Sequence, residues 1–198
     1  MKFKLLLISF LAINLLPSVA VAEMSLSEKY EDLEMVHADD WREGDFDMAW
    51  SEVVIVEDDF DGQYLAVFDR EKKSLFGAEQ GIISEWTKKD VKVNFYNRVK
   101  QLFGGSRVNH GYAEKIALKV GDKVFRMESS NGVYPLTDEM IEAFANAPDE
   151  EVKMRVYPSE NEDSEYFLEL QEITIELDME TIDAWKILYG DREIASEK

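Results

Sequence analysis

Residues 115–127 have the sequence Lys-Ile-Ala-Leu-Lys-Val-Gly-Asp-Lys-Val-Phe-Arg-Met, and this stretch decides the fold. Two β-prone runs flank Gly121-Asp122, a Gly-X pair suited to a type II′ turn in a two-residue hairpin. Closing the hairpin at this turn places the apolar residues of both strands on one face. These residues are Ile116, Leu118, Phe125 and Met127. The sequence therefore predicts an antiparallel hairpin with one buried face.

The sequence after this hairpin predicts a helix, two further strands and a second helix. Thr137 can cap a helix that has an acidic first turn and that ends before Pro148. Residues 152–156 alternate apolar and basic side chains as a strand does, a β-prone run follows, and the apolar stripe within residues 182–189 has helical spacing. The order β-β-α-β-β-α over residues 112–190 indicates the α+β class, a mainly antiparallel sheet with helices packed on it.

Residues 48–106 are predicted to hold another hairpin and a basic helix. Two runs of β-branched and aromatic residues flank the acidic segment 57–63, which is typical of a hairpin tip. The stretch that follows Thr87 fits both a strand and a helix. Its apolar residues alternate as in a strand, and they also recur at helical spacing. The capping pair of Thr87 and Asp90, with Gly104-Gly105 as a stop, favours the helix. A loop over residues 106–111 is expected to separate the two halves of the chain.

The amino terminus predicts export. Residues 1–22 combine a short basic start, an apolar stretch and a small-residue end, which is the pattern of a cleavable secretory signal peptide. Cleavage after Ala22 leaves 176 of the 198 residues, with an acidic arm or helix at 23–47 and a polar tail at 191–198. No later stretch is long and apolar enough to span a bilayer, so we expect a soluble protein of the periplasm, a lumen or the extracellular space.

The composition excludes several kinds of chemistry. The chain contains no cysteine, which rules out disulfides, thiolate metal sites and cysteine nucleophiles. Without the leader it has 20 basic and 42 acidic residues, a net charge of −22, so nucleic acid and anionic lipid are unsuitable partners for the surface as a whole. Residues 87–127 depart from this balance, because they hold ten basic and three acidic side chains.

The predicted basic helix supplies the candidate binding residues. They are Lys88, Lys89, Lys92, Arg98 and Lys100. One interpretation is a patch for an anionic partner such as an acidic polysaccharide. Another is charge balance within the chain, whose remaining residues carry a net charge of −29. A third is salt-sensitive self-association, in which this patch meets the acidic arm of a second molecule.

Three acidic residues form the candidate metal site: Glu57, Asp59 and Asp61. Together with Gly62 they match positions 1, 3, 5 and 6 of an EF-hand loop, and calcium prefers such oxygen ligands. The bidentate acid required at position 12 falls on Phe68, so a solvated hairpin tip is the competing interpretation. Calcium is the single cofactor that the sequence suggests.

Five stretches between residues 116 and 189 carry a family resemblance. They are residues 118–125 (Leu-Lys-Val-Gly-Asp-Lys-Val-Phe), 131–135 (Asn-Gly-Val-Tyr-Pro), 145–148 (Ala-Asn-Ala-Pro), 152–156 (Val-Lys-Met-Arg-Val) and 184–189 (Ala-Trp-Lys-Ile-Leu-Tyr). This region, less than half of the chain, resembles a family of small exported bacterial proteins of unknown function. The resemblance implies export to the periplasm or a lumen, offers no catalytic residue to transfer and implies nothing about chemistry. The region is also similar to the middle of a PDZ domain, although residues 77–83 do not supply the glycine-bearing carboxylate-binding loop of such a domain.

The sequence contains no recognisable catalytic constellation, neither a nucleophile elbow nor histidines at metal-binding spacing. We therefore expect a non-enzymatic binding or interaction module whose partner is a protein or an acidic polysaccharide. The alternative is a carboxylate-based hydrolase of envelope or extracellular glycans, because 42 acidic residues offer many carboxylate pairs.

Overall fold

The computed structural model describes residues 25–40, 48–75, 78–100, 106–149, 152–158 and 172–190. The predicted leader at 1–22 and the predicted tail at 191–198 lie outside these residues. In chain order the elements are α1 (Leu26–Lys29), β1 (Met35–His37), β2 (Val53–Asp58), β3 (Gly62–Leu75), β4 (Ala78–Thr87), β5 (Asp90–Lys100), β6 (Ser106–Val120), β7 (Lys123–Glu128), β8 (Val133–Pro135), α2 (Asp138–Ala145), β9 (Val152–Pro158), β10 (Ile173–Leu177) and α3 (Met179–Gly190).

The strands form one open, mixed sheet. Its order is β1-β2-β3-β4-β5-β6-β9-β10, with β7 also paired to β6 and β8 also paired to β5. β1 and β2 are parallel, and the other strand pairs are antiparallel. The predicted sheet is present and its pairs are mainly antiparallel, but the described chain is mainly sheet with few helices and is not clearly of the predicted α+β class.

The hairpin of residues 115–128 has the predicted register. Leu118 pairs with Phe125, and the two-residue turn begins at Gly121, whose φ of 56° lies in the left-handed region. Glycine adopts that conformation without the steric clash that a Cβ would cause. Ile116 and Leu118 are almost completely buried, so the shared apolar face lies in the core as predicted.

The predicted loop at 106–111 is wrong, because these residues begin the long strand β6. The first part of β6 pairs with β5, and its second part pairs with both β7 and β9. A register shift between Ala113 and Lys115 marks the change of partner, which is where a β-bulge lets a strand turn. The backbone partners of residues 106–112 lie in another strand, so local composition does not reveal them. The two halves of the chain therefore share one strand.

The predicted basic helix is also wrong, because residues 90–100 form strand β5 between β4 and β6. Val91, Val93 and Phe95 are buried on one face of this strand. The hydroxyl of Thr87 accepts hydrogen bonds from the backbone N–H groups of Lys89 and Asp90, so the expected capping motif closes the β4–β5 turn instead. Threonine makes the same local bonds in helix caps and in turns, which is why the motif did not distinguish them.

The predicted N-terminal helix is short. The capping box of Ser25 and Glu28 is present, but helix α1 ends at Lys29, and His37 lies in strand β1. The remaining residues of the predicted arm, 41–47, lie outside the described part of the chain.

Two buried clusters lie on opposite faces of the sheet. Alternate residues of β2 enter them: Val53 and Ile55 join the larger cluster, whereas Val54 joins the smaller one. In the larger cluster the ring centroids of Trp86 in β4 and Trp185 in α3 are 4.4 Å apart. This contact fixes the position of α3 beside the β4–β5 turn.

Candidate functional site

A groove of about 640 Å³ opens where strand β3 extends beyond its neighbour β4. β3 pairs with β4 over residues 66–75, and within the described chain residues 62–65 have no partner strand on that side. Tyr30, the C-cap of α1, lines the groove from the helical side together with Ile141 of α2 and Tyr189 of α3. The β4–β5 turn forms its remaining wall, so the groove joins a free strand edge to an aromatic and apolar surface.

The β4–β5 turn is held from two sides. The Tyr189 hydroxyl donates to the Thr87 carbonyl over 2.8 Å, and the Leu136 N–H donates to the Lys89 carbonyl over 2.8 Å. Tyr189 is buried, and burial raises the pKa of its phenol, so the phenol keeps the proton that it donates. The turn is therefore a rigid support for the side chains of Lys88 and Lys89.

Glu85 organises the wall next to this turn. Its Oε1 atom lies 3.0 Å from Lys92 Nζ and accepts a hydrogen bond from the Tyr64 hydroxyl over 2.9 Å. Glu85 is almost completely buried, and the Lys92 ammonium lies 5.8 Å from the centroid of the Tyr64 ring. Burial, followed by the charge of Glu85, raises the pKa of Tyr64, so Tyr64 remains a neutral donor. The charge of Lys92 is thus balanced within the wall.

The structure brings together three of the five predicted basic residues. Lys88, Lys89 and Lys92 line the groove. Arg98 lies six residues further along β5, about 20 Å from Lys92, opposite Glu79. The side chain of the fifth predicted residue, Lys100, is not among those that the structure describes. Lys89 is exposed, and its ammonium has no ion-pair partner in the described ranges, so it is the cation most available to a ligand.

The predicted calcium ligands are divided between two surroundings. Glu57 lies 3.9 Å from His37 of β1, while Asp59 and Asp61 are exposed in the β2–β3 turn. The turn is organised by Asp58, whose Oδ1 accepts two backbone N–H bonds of 2.8 and 2.9 Å. These bonds, chiefly the one from Asp61, hold the pKa of Asp58 below its ordinary value. Among the described residues there is no group of three acidic or histidine side chains placed to hold a metal, and calcium binding stays a prediction.

The aromatic part of the groove was missed by the sequence analysis. Tyr30, Tyr64 and Tyr189 come from α1, β3 and α3, and no spacing pattern connects them. Tertiary packing alone brings them together. The apolar stripe that predicted the last helix did include Tyr189, but it did not indicate the hydrogen bond to the β4–β5 turn.

A separate polar cluster is buried between β3 and α3. Thr181 Oγ1 lies 2.8 Å from Asp69 Oδ1 and 2.9 Å from Ser51 Oγ. A hydroxyl has one proton, so when Asp69 is ionised the Thr181 hydroxyl donates to it and has no proton left to donate to Ser51. Burial raises the pKa of Asp69 to about 6, against the opposing effect of the Thr181 hydrogen bond. Asp69 does not line the groove, and its cluster fastens α3 to the sheet.

Comparison of the chain with protein-family models, curated proteins and solved structures finds no match. Across the described ranges, no helix has both the length and the apolar character required to cross a membrane.

Proposed function

We propose that the protein is an exported, non-enzymatic binding module whose groove holds an acidic polysaccharide. The observation that carries this proposal is the exposed ammonium of Lys89 beside three tyrosines in one groove of a chain whose net charge is −20. Such a chain repels anions at long range, so an exposed cation in a groove is best suited to a contact made at short range.

Each part of the groove suits one part of a uronic acid chain. The exposed ammonium of Lys89 can pair with a sugar carboxylate, and the half-buried ring of Tyr30 offers an apolar face for a sugar ring. Asp61, Asp90 and Asp138 also line the groove, and their carboxylates can accept hydrogen bonds from sugar hydroxyls. The rigid β4–β5 turn limits the entropy lost when the ligand binds.

Titration calorimetry with a tetrasaccharide of galacturonic acid tests the proposal. We expect saturable binding at about 0.02 M and at about 0.5 M salt, because rising salt screens both the long-range repulsion by the acidic surface and the attraction of Lys89. Lys89→Ala and Tyr30→Ala should each weaken binding roughly tenfold, since one removes a charge-assisted bond and the other an apolar contact. Lys119→Ala is the matched control, because Lys119 is equally exposed but lies outside the groove.

Two results would refute the proposal: no binding by the native chain, or an equal loss for Lys119→Ala. Light scattering at the same two salt concentrations tests the alternative of self-association. A mass above that of the monomer at low salt alone would assign the cationic surface to a second copy instead.

The hydrolase alternative has less support. A glycosidase acid needs a raised pKa, and Asp69 has one. However, this carboxyl group is enclosed by Ser51 and Thr181 and does not line the groove, so a glycan in the groove would not reach it.

A further inference from the structure

A second cavity is a cleft of about 500 Å³ between β10 and the β3–β4 hairpin. β10 is the last strand in the order of the sheet. One wall is formed by residues 173–176 of β10. The other wall includes Glu71 and Lys72 of β3, with Ile82 of β4 between the two walls. In the described structure β10 pairs with β9 alone, and four consecutive residues of β10, 173–176, line this cleft.

The two faces of β10 differ in chemistry. Ile175 and Leu177 are buried and Ile173 is half-buried on the face toward the core, whereas Thr174 and Glu176 are exposed on the outer face. A strand added to the edge of β10 that has no partner among the described residues would have to follow the same alternation, because side chains of paired strands share faces. Its inward residues would meet the isoleucines, and its outward residues would lie beside Thr174 and Glu176.

The charged residues of β9 and β10 indicate which outward residues an added strand should carry. Lys153 of β9 lies opposite Glu176 and 3.1 Å from it, and Arg155 of β9 lies opposite Thr174 and 2.9 Å from Glu172. A basic strand is thus already paired with an acidic one. At the cleft, Glu71 and Lys72 carry opposite charges, and Glu176 already pairs with Lys153. A basic outward residue on an added strand would place Glu176 between two basic neighbours, and each of these cross-strand pairs is favourable.

We propose that the cleft is a second binding site, which takes an extended polypeptide segment of alternating apolar and basic residues as an added strand on β10. Strand addition supplies the affinity through backbone hydrogen bonds and the specificity through alternate side chains. This site is independent of the polysaccharide groove, since the two cavities have no lining residue in common.

The chain itself provides the probe. The peptide of residues 152–157, Val-Lys-Met-Arg-Val-Tyr, has the required alternation and already pairs with the opposite edge of β10. Fluorescence anisotropy of this labelled peptide with the whole protein should show saturable binding. A peptide with glutamate at both basic positions should bind roughly tenfold more weakly, because each favourable cross-strand pair becomes a repulsive one.

Two protein variants locate the site. Glu176→Lys should weaken binding of the basic peptide roughly fivefold. Glu128→Lys is the matched control, because Glu128 is also an exposed edge-strand glutamate that faces a lysine, Lys115, at 3.8 Å. Amide hydrogen exchange should also show new protection at residues 173–177 when the peptide binds.

The proposal is overturned if the two peptides bind equally, if the control variant weakens binding as much as Glu176→Lys, or if residues 173–177 gain no protection. The galacturonic acid tetrasaccharide should not compete with the peptide. Competition between them would show that the peptide occupies the groove, and that result would also overturn this assignment.

Discussion

Replacing Asp69 with asparagine should remove a pH dependence of stability that burial of this carboxyl group creates. Asp69 is 7% exposed, and its pKa rises from 3.8 to about 6 because burial disfavours the charged form. Asp178 and Glu71 raise it further, while the hydroxyls of Thr181 and Ser51 partly oppose the rise. Asparagine keeps the oxygen that accepts from Thr181 and does not titrate.

The sign of the effect follows from proton binding. Between pH 4 and pH 6 the folded protein binds this proton and the unfolded chain has lost it, so raising the pH through this range destabilises the fold. The gap between 3.8 and about 6, at about 1.4 kcal/mol for each pKa unit, amounts to about 3 kcal/mol. Relative to the native protein, Asp69→Asn should therefore gain about 3 kcal/mol of stability between about pH 4 and about pH 7.

Urea unfolding at several pH values between these limits measures the difference between the two proteins. Glu52→Gln is the control, because it removes an exposed carboxylate close in sequence to Ser51 and leaves the cluster intact. The reasoning is refuted if the difference between Asp69→Asn and the native protein does not change with pH, or if the variant becomes relatively less stable as the pH rises.

Two further substitutions test the packing around the cavities. Gly81→Ala should destabilise the fold by about 1–3 kcal/mol, because a Cβ at this position would lie 2.2 Å from the Glu71 carbonyl oxygen and 2.6 Å from the Tyr96 ring. Thermal unfolding of this variant and of Gly190→Ala checks the expectation, because a Cβ at Gly190 would meet no described neighbour within 4 Å. Equal losses of stability in the two variants would contradict it. Tyr189→Phe should cost about 1 kcal/mol in urea unfolding and weaken tetrasaccharide binding, since the Thr87 carbonyl loses its side-chain donor. Unchanged binding would show that this bond does not support the groove.

The hairpin at residues 115–128 could be predicted because its determinants are local. Gly121 supplies the required turn conformation, and alternation sets the buried face on both sides of it. Strand β5 could not be predicted in the same way, because residues 91–103 fit two periods and the Thr87 motif serves both caps and turns. Its conformation is decided by β4 and β6, which pair with it on either side.

The candidate site likewise combines residues that local sequence identifies with residues that only tertiary packing brings together. Charge clustering along the chain identified Lys88, Lys89 and Lys92, which do lie together in the groove. It also included Arg98, because a compact helix was assumed and an extended strand carries that residue away from the others. The tyrosines of the groove come from distant elements, and only the folded chain assembles them.

The continuity of β6 has a practical consequence for dissecting the protein. A fragment that ends before Ser106 would expose the edge of β5 that residues 106–112 of β6 cover, and a fragment that starts after residue 112 would uncover β8, which pairs with residues 90–92 of β5. Uncovered strand edges of this kind promote intermolecular pairing. Expression of either half alone should therefore yield aggregates, and mapping of partners is best done by point substitution in the whole chain.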